Sequence, residues 1–344
     1  MQTPSPLPAL RQARSHLLEY GDCPSGVISE PLARSWRRSL AAGLLPTGRI
    51  ADSEHASGNR LGHLLARNHD LLAHSRPVME YLFEQVRHSE SMVILADKRG
   101  TLMHTLGDTD FLGKAERVAL TPGASWNEQH RGTNAVGTAL AEASTVEIHG
   151  AEHFLERNGF LTCAAAPIMS AGGELMGILD ISGDQRGRHP HTLGLVSTAA
   201  RMIENRLLIA GCRHQIRLHL HAHPEGIGTV AEGILVLSTD GWIVGANRCG
   251  LSLLHLARAD LGATPISRVI DLNFDELLSR HKRRPGQPSP VRLHDGTSLF
   301  VQVHADLPVL SISPTVDKVV VAPKDPLAGL DTGDAQWRSA TDKA

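Results

Sequence analysis

The chain has 344 residues, an apolar fraction of 41%, a charged fraction of 20% and a formal net charge of −2. That composition belongs to a globular chain long enough for roughly two or three cores, and it excludes a disordered one. The charge gives no global pull toward nucleic acid, no apolar run reaches the roughly 20 residues of a membrane span, and the four cysteines (Cys23, Cys163, Cys212, Cys249) are too scattered for a disulfide ladder or a CxxC metal pair.

The first residues, MQTPSPLPALRQARSHLLEYGD, lack the basic start and continuous apolar stretch of a secretory signal, so a cytoplasmic location is expected. EPLARSWRRSLAAGLLP reads as a helix that begins at Pro31 and is stopped by Gly43 and Pro46. Leu32, Trp36 and Leu40 mark its buried face, which leaves Arg34, Arg37 and Arg38 on a solvated one. A second helical stretch over about 60–88 carries Leu61, Leu64, Leu65, Leu71 and Leu72 on one side, with Pro77 bending or dividing it.

The pattern then changes to strands. SMVILADKRGTLMHTLGD is a hairpin turning at Lys-Arg-Gly, and RGTNAVGTALAEAS is a helix capped by Thr133 or Asn134. STVEIHG reads as a strand, EHFLERNGF as a short helix over 152–160, and LTCAAAPIMSAGGELMGILDISGD as two strands around a Gly-Gly turn. PHTLGLVSTAARMIENRLLIAGCRHQI is a long helix in which Val196, Ala200, Ile203, Leu207 and Ala210 form a short heptad seam. That seam either packs on its own sheet or joins two chains into a homodimer.

LHLHAHPE is a linker or a first strand. EGILVLSTDGWIVGANRCGLSLL follows as strand, Asp-Gly turn, strand and helix, with Asn247 as the helix cap, and SPVRLHDGTSLFVQVHADL adds a hairpin through Asp295-Gly296. RHKRRPG, at 280–286, reads as a solvated loop. The expected fold class is α+β: an N-terminal helical region (1–50), a sheet domain flanked by helices (51–218), a smaller α+β domain (219–312) and a linker-like tail (313–344).

Several of these stretches resemble a known family. SWRRSLAAGLLP, GTNAVGTALAE, HGAEHFLERNGFLTCAAAPI, LDISGD and HPHTLGLVSTAARMIENRL are similar to the sensory half of acetoin-catabolism-type, sigma-54-dependent transcriptional activators. The resemblance implies a GAF-like middle domain, a PAS-like second domain beginning at EGILVL, and a tail (DPLAGLDTGD) like the lead-in to an ATPase domain. No GxxxxGK[ST] phosphate loop occurs in these 344 residues, and no C-terminal helix-turn-helix is recognised. The resemblance further implies a small metabolite as ligand, acetoin or another small polar organic molecule; the missing phosphate loop and helix-turn-helix depart from the family pattern, so no catalytic or DNA-binding output is expected of this chain.

The residues expected to contact such a ligand are Trp126, Glu128, His130 and Asn134 on one loop, and Glu147, His149, His153, Phe154 and Cys163 on the facing wall. A rival reading takes His149, His153 and Cys163 as a metal site or a cysteine nucleophile with its base. Against it, VEIHG is strand-like, which breaks the helical spacing of the two histidines, and Cys163 lies in a small-residue strand. A third reading is a dimerisation module that binds nothing. No cofactor is expected.

Overall fold

A computed structural model describes residues 5–48 and 55–305. The tail at 313–344 that resembles an ATPase lead-in lies outside those residues. The protein is α+β, built on two antiparallel five-stranded sheets. Helices α1 (Leu7–Tyr20), α2 (Glu30–Ala41), α3 (Asn59–Arg67) and α4 (His69–Val86) precede the first sheet. That sheet comprises β1 (Ser91–Asp97), β2 (Leu102–Gly107), β3 (Val146–His149), β4 (Leu161–Met169) and β5 (Leu175–Asp184), in the order β2-β1-β5-β4-β3. Helices α5 (Thr109–Arg117), α6 (Glu128–Arg131) and α7 (Ala135–Glu142) lie between β2 and β3, and α8 (Thr192–Gly211) follows β5.

The run SMVILAD is continuously apolar because both faces of β1 are covered. Met92, Ile94 and Ala96 enter a core shared with α1, α2 and the loops before α7, while Val93 and Leu95 enter a second core with α4 and α8. Each such aliphatic side chain contributes about 1.5–3 kcal/mol on full burial.

The N-terminal helices are not set apart from this sheet. Leu10, Leu17, Leu32 and Trp36 share a core with Phe111, Ile148 and Phe154. The arginines of α2 keep solvent access but are engaged in ion pairs, with Arg38 reaching the buried Glu128. Arg38 pairs with Glu128 and Glu142, Arg34 with Glu142, and Arg37 with Asp22 and Glu30.

Other expectations change. The helical stretch at 60–88 breaks at Asn68, whose amide donates to the Leu64 carbonyl, and Pro77 sits inside α4 without dividing it. The long helix ends at Gly211, not near 216, because the chain turns there into β6. Val196, Ala200 and Ile203 of the expected seam are buried against the first sheet and α4, so Ile203→Asp would unfold the domain instead of reporting on self-association. In place of a short helix, residues 150–160 hold two single 3₁₀ turns, Gly150–Glu152 and Glu156–Asn158.

The second sheet comprises β6 (Ile216–His221), β7 (Gly233–Leu237), β8 (Ile243–Ala246), β9 (Ser289–Arg292) and β10 (Ser298–Ala305), in the order β8-β7-β6-β10-β9. Helices α9 (Arg248–Leu253) and α10 (Phe274–Arg283) cover one face, over a core of Leu218, Leu235, Ile243, Leu277, Leu299 and Val301. Asn247 caps α9 through Oδ1, which accepts from Gly250 N, and the same oxygen accepts from Ile234 N.

The two sheets are tied together at α8. The buried carboxylate of Glu204 accepts from Met169 N at 2.8 Å and from Arg248 Nη2 at 2.9 Å, while Arg248 also donates to the Pro167 carbonyl. At the next residue, Asn205 Oδ1 accepts from Asn247 Nδ2. Leu208 packs with Ile234 and Val236 on the outer face of the second sheet. Glu204→Ala leaves an amide and a guanidinium without their shared acceptor and should cost roughly 2 kcal/mol. Urea unfolding checks the loss, and hydrogen exchange at Met169 and across β7–β8 should rise with it.

Candidate functional site

The edge strand β3 forms one wall of a cavity of about 320 Å³. Its sequence, VEIH, buries Ile148 in the core and leaves Val146, Glu147 and His149 partly covered. The chain leaves β3 at Gly150 with φ +53°, where a Cβ would lie 2.7 Å from Gln185 Oε1, so only glycine fits this turn without a shift. Thr138 lines it from the middle of α7, its hydroxyl donating to Glu128, Ser144 and Thr145 supply hydroxyls from the following loop, and Arg188 enters from beyond β5. The remaining wall is N-terminal: Ser5, Ser29, Pro31 and Leu32.

The loop after β3 is clamped from the same side. Arg14 Nη2 donates to the carbonyls of Ala151 and His153, and Trp36 Nε1 donates to the Glu152 carbonyl at 2.8 Å. The Glu152 carboxylate accepts from His149 N and Ser5 N; burial pushes its pKa up against those donors.

The electrostatics of the cavity are mixed. Arg188 Nε donates to Glu147 Oε1 at 2.7 Å across its mouth. Burial, reinforced by the Arg188 charge and opposed by Glu147, lowers the pKa of His149 and keeps its imidazole neutral at pH 7. The Nδ1 atom of His149 is buried and has no hydrogen-bond partner. A neutral imidazole, a guanidinium, five hydroxyl residues and two carboxylates stand beside apolar Leu32, Val146 and Ile148. Such a lining can orient a small polar molecule by a few directed hydrogen bonds.

Of the candidate residues expected from sequence, Glu147 and His149 line this cavity and the others do not. Trp126 is 1% exposed, its Nε1 donates to the Ala119 carbonyl and Arg131 stacks on its ring. Glu128 binds Arg38, Ser35 and Thr138. Asn134 caps α7 by accepting from Gly137 N and donates to the carbonyls of Trp126 and Gly132. Phe154 is fully buried, and His130 faces a different cleft beside α3. The expected single pocket between the Trp126 loop and β3 is therefore two separate places, because Trp126 and Phe154 are core.

His153 and Cys163 are together but closed off. His153 is fully buried, with Nδ1 at 3.0 Å from the Gly150 carbonyl and Nε2 at 3.6 Å from Cys163 Sγ. Ser182 Oγ lies 3.1 Å from that sulfur and 2.6 Å from Asp180 Oδ2. Burial drives every group in this chain toward neutrality: the Cys163 thiol far up, Asp180 up to about 7, and His153 down to about 4. A protonated, buried thiol is a poor nucleophile. His149 ends a strand while His153 follows a 3₁₀ turn, so the two imidazoles do not share a helix face. Among the described residues no group of three or more His, Cys, Asp or Glu is placed to hold a metal ion.

Sequence reasoning did not find Arg188, Glu152 or the N-terminal wall. Ser144 and Thr145 flank VEIHG and could have been included; Arg188 stands in a loop with no local signal.

Residues 70–207 match the GAF domain family. The acetoin catabolism regulatory protein of Cupriavidus necator is 30% identical over 331 residues, covering 91% of this chain and 49% of that protein. The acetoin dehydrogenase operon transcriptional activator AcoR of Bacillus subtilis is 35% identical over 147 residues, 43% of this chain and 24% of that protein. The chain thus spans between about a quarter and a half of the length of these relatives. Among solved structures, the Escherichia coli DhaR(N)–DhaL complex contains a chain similar in fold, with a TM-score of 0.52 and 17% identity, covering 80% of this chain and 99% of that one.

Proposed function

From a GAF domain at 70–207 and relatives that are transcriptional regulators, we propose that this chain is the sensory part of such a regulator. It binds a small polar metabolite in the cavity beside β3. The observation that carries this reading is a cavity lined by neutral His149, whose buried Nδ1 lacks a hydrogen-bond partner, and by the Glu147–Arg188 pair. A ligand oxygen that satisfies this nitrogen removes a desolvation cost of about 1–3 kcal/mol, which favours the occupied state.

Acetoin is the first molecule to test because two relatives bear its name; other small hydroxyketones, diols and short acids suit the same lining. Occupancy acts by population shift. α8 spans from the first sheet to the Glu204–Arg248 tie and carries the change to the second unit, which we read as PAS-like. We assign no catalytic step to Cys163, which is buried between His153 and Ser182 in the sheet.

The experiment is a thermal-shift screen of small hydroxyketones, diols and acids. At about 100 times Kd, a true ligand should add roughly 2.7 kcal/mol of stability. His149→Ala and Arg188→Ala should abolish that response, while Trp126→Ala, if folded, should keep it. An unchanged response in both cavity variants places the site elsewhere.

A further inference from the structure

A second cleft, of about 990 Å³, opens between α3, the β1–β2 turn and the loop leading into α6. It shares no lining residue with the cavity beside β3. Arg60, His63 and Arg67 line it from α3, Lys98 and Arg99 from the turn, and His130 from α6. The one carboxylate in its lining, Asp97, is 3% exposed, and its Oδ1 already accepts from the backbone N–H groups of Arg99 and Thr101. Among the described residues no carboxylate pairs with Arg60, Arg67, Lys98 or Arg99. Other exposed cations of this molecule, such as Arg34, Arg37, Lys114 and Arg186, are held by carboxylates.

We propose that this cleft is a binding site for a small polyanion, a molecule carrying phosphate or several carboxylate groups. Four permanent cations around one concavity in a chain of net charge −2 concentrate positive potential there, and low-dielectric walls focus it. Arginine forks bind phosphate and carboxylate oxygens two at a time. The amides of Asn127 and Gln129 add neutral donors at the rim, and Leu64 and Leu140 give the cleft an apolar floor. The volume lies within the range of metabolite sites, roughly 300–1,000 Å³.

The test is calorimetric titration of the full chain with sodium pyrophosphate and, separately, sodium citrate, at about 0.05 M and about 0.3 M salt. The expected result is one saturable site for at least one probe, weakened at the higher salt. It should weaken roughly tenfold in the Arg67→Ala/Arg99→Ala double variant, whose exposed substitutions leave the fold intact. The tighter probe identifies the phosphate or the carboxylate source. Arg283→Ala/Arg284→Ala, on a different basic stretch, should bind as wild type, and so should His149→Ala, which separates this site from the cavity beside β3. Absence of saturable binding by both probes overturns the proposal, as does an equal loss in the Arg283/Arg284 variant, which would mark diffuse charge attraction.

Discussion

Glu128→Ala is expected to destabilise the protein by about 3 kcal/mol and to release α2 from the first sheet. Glu128 is 5% exposed, and its two oxygens accept from Arg38 Nε at 2.6 Å, Arg38 Nη2 at 3.1 Å, Ser35 Oγ at 2.5 Å and Thr138 Oγ1 at 2.7 Å. Removing one partner of a buried pair usually costs about 3–5 kcal/mol because the other charge is left desolvated. Here the lower end applies: Arg38 retains Glu142 at 2.8 Å, and Ser35 can re-pair with Thr133. Glu128→Gln, which keeps the hydroxyl contacts and loses the charge, should fall between alanine and wild type. Urea unfolding gives the magnitude, and trypsin cleavage after Arg34, Arg37 and Arg38 should accelerate in the alanine variant. A wild-type midpoint with unchanged cleavage would mean that the N-terminal helices are held by apolar packing alone.

The buried chain Asp180–Ser182–Cys163–His153 should make two variants diverge in opposite directions with pH. Asp180 has a folded pKa of about 7 against an ordinary 3.8, so it costs stability progressively as pH rises from 3.8 to 7. His153 has a folded pKa of about 4 against 6.5, so the unfolded chain binds its proton more readily and stability rises with pH over that interval. In wild type the two slopes oppose each other between pH 4 and 6.5. Relative to the other titrating groups, Asp180→Asn retains the histidine's contribution and should gain about 3 kcal/mol from pH 4 to 6.5; His153→Gln retains the carboxyl's and should lose about 3 kcal/mol between pH 4 and 7. Denaturant midpoints at half-unit steps of pH check this. Two profiles parallel to wild type would show that neither group is held neutral by burial.

The fold was legible wherever the determinants are local. The Gly172–Gly173, Asp240–Gly241 and Asp295–Gly296 turns join the strands expected on either side of them. Asn134 and Asn247 cap the helices they precede, because an Asx side chain satisfies an orphan N–H within three residues. The site was less legible because its determinants are distant. Glu128 and Arg38 read separately as a ligand contact and a solvated cation; they are partners across 90 positions of sequence. Trp126 offered an aromatic face to any sequence-based pocket, but its indole N–H is satisfied inside the core by Ala119. Arg188 and Ser5 reach the cavity only through the tertiary arrangement of the chain around β3. Glu147 and His149 alternate with the buried Ile148 on the edge strand β3, which is what places both in the cavity lining.

The cavity beside β3 is tested most directly by a crystal structure or NMR titration of the chain with whichever metabolite gives the largest thermal shift, beginning with acetoin. The expected result is a single ligand between β3 and the start of α2, with an oxygen within hydrogen-bond distance of His149 Nδ1 and a second polar contact to Arg188 or Glu147. Ligand bound outside this cavity, or saturating binding that leaves the His149 ring resonances unmoved, would contradict the account.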